Sequence, residues 1–465
     1  KVGYKTIISG IKFIVNRKYL LSALLGVIIS FGIFSLSIYE GLCVIFFLCY
    51  ATYFILLIGR KIIILEIACF TAILGWLIAP IPFYHFFNDT NDLAVLWEKV
   101  MPLTSDEYYS FVLPATISMV LGFSFPLHNA HILYESKTLF NAIKTYLRNK
   151  PILGYVLIFM GFASGFLFPY SPDSLAFLFY LLQSLTITGL LYLFFSRVPN
   201  RKFFLILGFI LLLVQSIRSA MFGEMIYMTM LVGFMLISVR KIPFLYKALI
   251  LIAGIYFVFV LQTIKHEYRS VAWKQGANPL YFGELLASRL TNPFQGMDQI
   301  ATFGVLSRLN QGWLICKTMY HVPKDKPYAH GETIALSVAA SFVPRIFWPT
   351  KPKAGGHYNL ERFWGYKLER YSMNIGPVGE AYGNFGKFGG IVFMFFYGLT
   401  FNYFLNIVLG YVKSRPTWIL WLPFLFLYAI GTETDIVSTV NYIVKSLVFL
   451  FLLRVLLFEI FKIRL

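Results

Sequence analysis

Charged side chains are scarce in this sequence, and acidic ones are scarcer than basic ones. Only 13% of the 465 residues are charged, whereas 58% are hydrophobic. Soluble globular proteins carry about 25% charged residues, which keep their surfaces hydrated. The shortage therefore excludes a soluble globule and predicts a chain that lies within a membrane.

Cysteine is nearly absent. The chain has four cysteines, three in apolar stretches and Cys316 alone in a polar one, so no disulfide framework or thiolate metal site can be built. Most of the seven histidines share that polar stretch, but none has the spacing of metal ligands. Internal repeats and low-complexity tracts are also lacking. We therefore expect no metal site and no other cofactor.

Long hydrophobic runs are what the sequence has in abundance. They include residues 20–38, 62–79, 175–195, 248–261 and 389–412, which are mostly long enough to cross a hydrocarbon core about 30 Å thick. Such runs recur along almost the whole chain. The predicted fold class is an all-α polytopic membrane protein with about 12 transmembrane helices.

The Lys and Arg residues between these runs predict the orientation. Basic connections alternate with connections poor in Lys and Arg, and both chain ends are basic. Short basic connections stay in the cytoplasm, so the N and C termini are predicted to be cytoplasmic. Residues 1–264 then hold about nine spans, residues 265–387 form one large extracytoplasmic loop, and residues 388–465 hold about three more spans. The first apolar run lacks a small-residue cleavage site, so we expect no cleavable signal peptide.

The net charge of +19 has two sources. Most of it lies in the cytoplasmic connections, where it orients the spans and meets anionic headgroups of the lipid bilayer. The remainder lies in the large loop, where basic residues outnumber acidic ones. Charge divided between two sides of a membrane is a poor match to nucleic acid, so we expect none as a partner. The pattern favours an anionic, lipid-linked ligand on the outer side.

The large loop is predicted to contain short elements. Residues 284–289 and 296–310 have helical patterns, and five prolines break the rest into turns. Residues 333–343 form an apolar run too short to span a bilayer, so we expect it to re-enter the membrane or to pack on the bundle. Aromatic residues are dense from 347 to 371. They suit sugar binding, and the equal alternative is a belt at the membrane interface.

Several basic residues on the outer side are candidates for binding phosphate. Arg218 lies in a tight turn between two apolar runs, where an ionisable side chain is costly. Its planar guanidinium suits phosphate oxygens, and the alternative is a salt bridge to Glu224. Arg345 and Lys351 follow the short apolar run, and Arg269 lies earlier in the loop. Together these side chains would surround a diphosphate at the membrane surface.

A glycine-rich segment, residues 376–386, leads into the tenth predicted span. Glycines allow the backbone to approach a ligand or another helix closely. Glu380 in this segment would lie at the outer edge of the membrane, where partial burial suits a carboxylate to general-base catalysis. The alternative is a carboxylate that caps a helix or braces the loop. His357, beside two glycines, is the second candidate base.

The segment Gly-Glu-Ala-Tyr-Gly-Asn-Phe-Gly at 379–386, placed before an apolar span, resembles a motif of oligosaccharide repeat-unit polymerases, the O-antigen polymerase (Wzy-like) group. Phe-Val-Pro-Arg-Ile-Phe-Trp-Pro at 342–349 and Arg-Ser-Ala at 218–220 are similar to further patterns of that group. The architecture of many spans with one large outer loop also agrees over nearly the whole chain. The resemblance implies a GT-C-like membrane glycosyltransferase, inverting and metal-independent.

That resemblance implies a function and a set of roles. The enzyme would join polyprenyl-diphosphate-linked oligosaccharides on the outer face of the bacterial cytoplasmic (inner) membrane, with a chain-length regulator and a flippase as further partners. Glu380, or failing that His357, would accept the proton of the attacking hydroxyl. The remaining site residues are predicted to bind the diphosphate (Arg218, Arg345, Arg269 and Lys351) and the sugars (Trp348, Tyr358, Trp364, Tyr382 and Asn384).

Two other functions stay open. A flippase or other transporter of the same lipid-linked sugars would also have about 12 spans. Transporters, however, usually show duplicated halves and short loops, and this sequence has neither. An O-antigen ligase would use the same chemistry with lipid A as the acceptor.

Overall fold

A computed structural model describes residues 17–87, 100–172, 175–343, 347–352, 355–368 and 372–461. Every regular element within these ranges is helical. The α-helices up to the large polar segment are α1 (Arg17–Val27), α2 (Ile38–Leu57), α3 (Leu65–Ala72), α4 (Ile81–Phe86), α5 (Ser105–Phe123), α6 (Ser136–Leu147), α7 (Pro151–Leu167), α8 (Ala176–Phe195), α9 (Arg201–Ser219), α10 (Gly223–Ile237) and α11 (Phe244–Gln275). Those that follow are α12 (Pro279–Thr291), α13 (Gln299–Leu309), α14 (Gly312–His321), α15 (Glu332–Phe342), α16 (His357–Trp364), α17 (Gly376–Ser414), α18 (Leu422–Phe426) and α19 (Ile436–Phe461).

Eight helices in the described ranges are long and apolar enough to cross a bilayer. They are Ile38–Leu57, Leu65–Phe86, Pro151–Tyr170, Ala176–Phe195, Arg201–Ser219, Phe244–Lys265, Gly376–Ser414 and Ile436–Glu459. Helix α5 and the 3-10 helix His128–Tyr134 form a ninth if the pair, bent by 86°, counts as one span. The chain is thus all-helical over its described part, with several membrane-length helices, as the sequence predicts.

Four shorter apolar helices accompany these spans. They are Lys18–Ile33, Gly223–Ile237, Glu332–Phe342 and Pro416–Phe426. The third of them, α15, covers the apolar run predicted to dip into the membrane or pack on the bundle, and it packs extensively along α19. The large polar segment is therefore anchored on the final membrane-length helix.

Two helices extend beyond the predicted spans. Helix α11 continues past the apolar run as far as Gln275 and ends before Gly276, whose φ of +91° is favourable only for glycine. Helix α17 begins at Gly376, well before the predicted tenth span, and bends at Gly386. Apolar length marks the part of a helix in the membrane, whereas the helix itself continues until a backbone signal stops it.

Close helix packing joins α5 to α17. Cβ atoms built on Gly122 and Gly398 would overlap backbone atoms of the opposite helix, so the two backbones touch at these glycines. Asn402 reinforces the contact by donating from Nδ2 to the carbonyl oxygens of Gly122 (3.2 Å) and Phe125 (2.7 Å). Small residues and amide hydrogen bonds are what hold helices together where lipid removes the hydrophobic driving force.

Candidate functional site

Three basic side chains gather where α11 leaves the bundle and enters the large polar segment, residues 265–387. We call this end of the molecule the loop end. Lys265 and Arg269 lie one turn apart on α11, and Arg308 lies in the last turn of α13. Arg308 repels both Lys265 and Arg269, and Lys265 and Arg269 also repel each other. We call Lys265, Arg269 and Arg308 the cation cluster.

The cation cluster has the electrostatics of an anion-binding site. Partial burial, and in second place the charge of Arg308, lower the pKa of Arg269. Arginine nevertheless stays protonated at physiological pH, so the cluster keeps its charge at the expense of mutual repulsion. A bound anion would relieve that repulsion, and partial desolvation would strengthen its attraction to the cluster.

Arg269 is held in place by the turn that follows α9. Its Nε donates to the carbonyl oxygen of Ala220 at 3.0 Å, and its guanidinium lies 4.9 Å from the ring centroid of Trp273. The indole Nε1 of Trp273 donates in turn to the carbonyl oxygen of Ser219 at 3.3 Å. The structure therefore brings the turn that follows Arg218 to Arg269.

Arg218 itself is exposed in the last turn of α9. The alternative that the sequence left open, a salt bridge to Glu224, is not formed between these two described residues. The carboxyl of Glu224 instead lies among Tyr180, Tyr428 and Tyr442. The side chain of Arg218 is thus exposed, next to a turn whose backbone contacts Arg269.

An exposed carboxylate faces the cation cluster from another part of the chain. Glu433 lies in the turn between α18 and α19, and its charge acts on Lys265. The hydroxyl of Tyr227, on α10, donates to Glu433 Oε2 at 2.6 Å. This hydrogen bond fixes one oxygen of the carboxylate and orients the other.

Glu380 is fully buried where α17 meets the N-terminus of α19. Its Oε1 accepts a hydrogen bond from the backbone N–H of Ile436 at 2.8 Å, and its Oε2 is buried without a hydrogen bond in the described part of the chain. The side chain of Asn359 lies beside the same carboxyl. This geometry matches the alternative given above, a carboxylate that caps a helix, and it leaves no path for a substrate hydroxyl to Glu380.

Asp435 completes the cap of α19. Its Oδ1 accepts from the backbone N–H of Ser438 at 2.8 Å, and its Oδ2 accepts from the backbone N–H of Gly356 at 3.0 Å. Burial raises the pKa of Asp435, and these hydrogen bonds oppose that shift. Gly356 has a φ of +79°, and a side chain there would overlap the carbonyl of Met373. The glycine is thus required for the loop to reach Asp435.

Two predicted ligand-binding residues have bracing roles instead. Asn384 is completely buried, and its Nδ2 donates to Thr333 Oγ1 (2.7 Å) and to the carbonyl oxygen of Glu380 (2.8 Å). Its Oδ1 accepts from the N–H of Gly331 at 3.0 Å. Because its amide is fully used within the protein, the predicted sugar contact is wrong for Asn384.

Lys351 is likewise buried. Its Nζ donates to the carbonyl oxygens of Ala340 (2.7 Å) and Val343 (2.8 Å), at the C-terminus of α15. A cation at a helix C-terminus satisfies free carbonyl groups and the helix dipole. The predicted diphosphate contact is therefore corrected to a helix cap for Lys351.

The other predicted residues surround α16. His357 is half-buried at its start, with Nδ1 3.1 Å from the carbonyl oxygen of Leu368. The hydroxyl of Tyr358 donates to Glu332 Oε1 at 2.7 Å, a bond that lowers the pKa of Glu332. Burial, and then the same bond, raise the pKa of Tyr358 to about 12. Both side chains thus fasten α16 to neighbouring segments.

Two of the predicted sugar-binding aromatics, Trp364 and Tyr382, pack against the same buried cluster around Phe363. Trp364 donates from Nε1 to Thr318 Oγ1 at 3.0 Å, and its ring lies 6.2 Å from that of Trp313. The half-buried ring of Tyr382 packs edge-on against Phe111, 4.9 Å away between centroids. Trp348 is half-buried in a separate segment. Arg345 lies outside the described residues.

No pattern in the sequence pointed directly to Glu433 or Tyr227. Glu433 belongs to a short connection poor in basic residues, which indicated only an orientation. Its position opposite Lys265 depends on how α10, α11 and α19 pack. A carboxylate in a short outer turn between two apolar runs is the one signal that would have singled it out.

Within the described ranges, no three His, Cys, Asp or Glu side chains converge in a way that could hold a metal ion. The cation cluster supplies positive charge at the loop end. A group of this kind is suited to binding phosphate oxygens through directed N–H donors.

Comparison with known proteins yields a family without an assigned activity. The model of a family described as a domain of unknown function (DUF8712) matches residues 11–408, most of the chain. No curated protein and no solved structure matches the chain.

Proposed function

The chain belongs to this family of unknown function, and we propose that it polymerises polyprenyl-diphosphate-linked oligosaccharide repeat units. The reaction would take place on the outer face of the bacterial cytoplasmic membrane and would build O-antigen, capsule or a related surface polysaccharide. A chain-length regulator and a flippase are proposed as partners. The type of reaction is inferred from the resemblance of the glycine-rich segment to the polymerase motif. The position of the diphosphate site is inferred from the cation cluster.

The membrane arrangement proposed has 12 spans. Eight long helices, the bent pair around residue 125 and three of the shorter apolar helices supply them: Lys18–Ile33, Gly223–Ile237 and Pro416–Phe426. Both termini are then cytoplasmic, and the loop end is extracytoplasmic. Helix α15 is the re-entrant element of a GT-C-like architecture.

The observation that carries the proposal is the cation cluster at the loop end. A polyprenyl diphosphate arrives within the membrane, and its headgroup lies at the membrane surface. Lys265, near the end of the apolar part of α11, is suited to meet that headgroup, and Arg269 and Arg308 lie toward the polar segment. Because the diphosphate is already a good leaving group, positioning and charge stabilisation are the main contributions required of the protein.

In this proposal the transfer is inverting and metal-independent. The cation cluster and Arg218 stabilise the negative charge that develops on the leaving diphosphate. Glu380 and His357 act by positioning: Glu380 holds the N-terminus of α19, and His357 holds the start of α16. Half-buried aromatics of the large segment contact the sugars.

The test is polymerisation by the full-length protein in proteoliposomes supplied with lipid-linked repeat units. Arg269→Gln and Arg308→Gln should each lower the polymerisation rate at least about tenfold, since a charge-assisted hydrogen bond contributes about 1.5–3 kcal/mol. The product ladder on a gel gives the rate, and binding of a sugar-free polyprenyl diphosphate gives the affinity.

Arg201→Gln provides the matched control for Arg218→Gln, because the two arginines lie at opposite ends of α9 and both are exposed. Only the Arg218 variant should lose activity. Translocation of the lipid-linked sugar without polymerisation would identify a flippase. Transfer to lipid A alone would identify a ligase. Wild-type activity in both cluster variants would exclude the diphosphate site.

A further inference from the structure

Five carboxylates lie at the loop end on α10, α11, α17 and the turn into α19, and four of them are committed to the protein. Glu267 accepts from the Tyr281 hydroxyl at 2.8 Å and pairs with Arg289 at 2.7 Å. Glu380 is fully enclosed and bonded to the N–H of Ile436. Asp435 uses both oxygens on backbone N–H groups. Glu224 is half-buried among Tyr180, Tyr428 and Tyr442.

Glu433 differs from all four because it is exposed, its charge acts on Lys265 and it is held by one hydrogen bond. The bond from the Tyr227 hydroxyl, 2.6 Å long, engages Oε2 and leaves Oε1 available. The turn carrying Glu433 is fixed two residues later, where Asp435 is bonded to Ser438 and Gly356. The hydrogen bond from Tyr227 and the fixed turn thus restrain the carboxylate of Glu433. Its Oε1 is left to contact a substrate.

We infer that Glu433 is the general base of the glycosyl transfer, an inference that rests on the proposed function. Tyr227 acts as its positioning residue. The acceptor is then a lipid-linked repeat unit whose attacking sugar hydroxyl lies against Glu433, while the donor diphosphate lies on the cation cluster. The two substrates thus meet at the turn between α18 and α19.

The step balances without any further reactant. The acceptor hydroxyl oxygen forms a bond to the anomeric carbon of the donor sugar, and the bond from that carbon to the diphosphate oxygen breaks. The electron pair of the broken bond leaves with the diphosphate, whose charge the cation cluster stabilises. The proton of the acceptor hydroxyl passes to Glu433 Oε1.

A competing role for Glu433 is that of a simple countercharge to Lys265. The two roles differ in what removal of the negative charge would do. Loss of a countercharge strengthens anion binding and leaves chemistry intact. Loss of a general base leaves binding unchanged or tighter and lowers turnover by about 10²–10⁴-fold.

The experiment compares Glu433→Gln with wild type in the same proteoliposomes. Gln keeps the length of Glu and an oxygen that accepts from Tyr227, so the turn should be preserved. We expect kcat to fall about 10²–10⁴-fold, with sugar-free polyprenyl diphosphate bound at least as tightly as by wild type. Tyr227→Phe, which frees the carboxylate without removing it, should lower kcat by a smaller factor.

Glu361→Gln is the matched control, since Glu361 is an exposed carboxylate that pairs with exposed Lys367, 3.3 Å away. This variant should behave as wild type.

Full turnover by Glu433→Gln would overturn the assignment while leaving the proposed function intact. Loss of lipid binding or of thermal stability in Glu433→Gln would also overturn it, because the role would then be structural. If wild-type protein binds no polyprenyl diphosphate, the proposed function itself fails.

Discussion

Asn384 and Lys351 are polar residues in a segment expected to hold sugars and phosphate, yet both direct their donors to groups of the protein itself. Asn384 joins α17 to the start of α15, and Lys351 closes the end of α15. These two residues differ from Glu433 in their burial. Asn384 and Lys351 are buried, whereas Glu433 is exposed. A buried amide or ammonium must complete its hydrogen bonds within the protein, so it has none left for a ligand.

Replacing Asn384 by Ala should therefore destabilise the fold. The substitution leaves the Gly331 N–H and the Thr333 hydroxyl without their partner, at a cost of about 1–3 kcal/mol for each buried group left unpaired. The apparent melting temperature of the detergent-solubilised protein should fall. Gln275→Ala, at an exposed amide at the end of α11, should leave it unchanged.

The opposite pattern would contradict the bracing role. If Asn384→Ala retained the wild-type melting temperature but lost polymerisation, the amide would have to contact substrate during turnover. The thermal scan and the polymerisation assay on one preparation distinguish the two.

At the scale of elements, the bend of α17 depends on a single residue. Gly386 has φ +66° and ψ −164°, a region open almost only to glycine, and a Cβ there would lie 3.2 Å from the ring of Tyr328. The bend separates the short piece that carries Glu380 and Asn384 from the membrane-spanning piece. Both residues thus reach α15 and α19 because the helix changes direction.

Gly386→Ala should accordingly destabilise the protein by about 1–3 kcal/mol, the usual cost of a strained backbone position. The matched control is Gly254→Ala in α11, where nothing lies within 4 Å of an added Cβ. That change should be neutral or slightly stabilising, because Ala is the better helix former. Equal melting temperatures for the two variants would show that the bend does not need glycine.

Long hydrophobic runs in the sequence predicted most of the helices, because a helix that crosses a bilayer must be apolar over its length. The predicted segments 284–289 and 296–310 correspond to α12 and α13, with Asn278 and Asp298 capping their first N–H groups. Helices α14 and α16 were missed, since short helices in a polar segment have little period to detect. The extension of α11 to Gln275 was missed as well, because nothing breaks a helix merely where its hydrophobicity ends.

For the whole molecule, the arrangement proposed here fixes which residues face each side of the membrane. Lys367 in the large segment and Lys202 at the start of α9 are both exposed and are predicted to lie on opposite sides. A membrane-impermeant maleimide applied to intact spheroplasts should label Lys367→Cys and not Lys202→Cys. Permeabilised cells should label both, and the wild-type protein, with three of its four cysteines buried, sets the background.

Labelling of Lys202→Cys in intact spheroplasts would reverse the orientation. The cation cluster would then face the cytoplasm, where lipid-linked repeat units are assembled before export. A polymerase of exported units could not work from that side. This single result bears on the function more directly than any substitution within the site.

The site could be predicted from the sequence only on its cationic side. Arg218 and Arg269 stand out because arginine near apolar runs is rare and costly. The carboxylates could not be ranked in the same way, since Glu380 is covered by an N–H that comes 56 residues later in the chain. Whether an acid is enclosed or open depends on contacts between distant segments, which local patterns do not contain.

The turn between α18 and α19 links the large segment to α10, and these two parts also pack directly on each other where Phe282 stacks on Phe222. Asp435 ties it to Gly356 in the large segment, and Glu433 ties it to Tyr227 in α10. In the proposed reaction, any displacement of the large segment would reach this turn through the hydrogen bond from Gly356 to Asp435. Such a displacement would then shift Glu433, the proposed proton acceptor, relative to Tyr227.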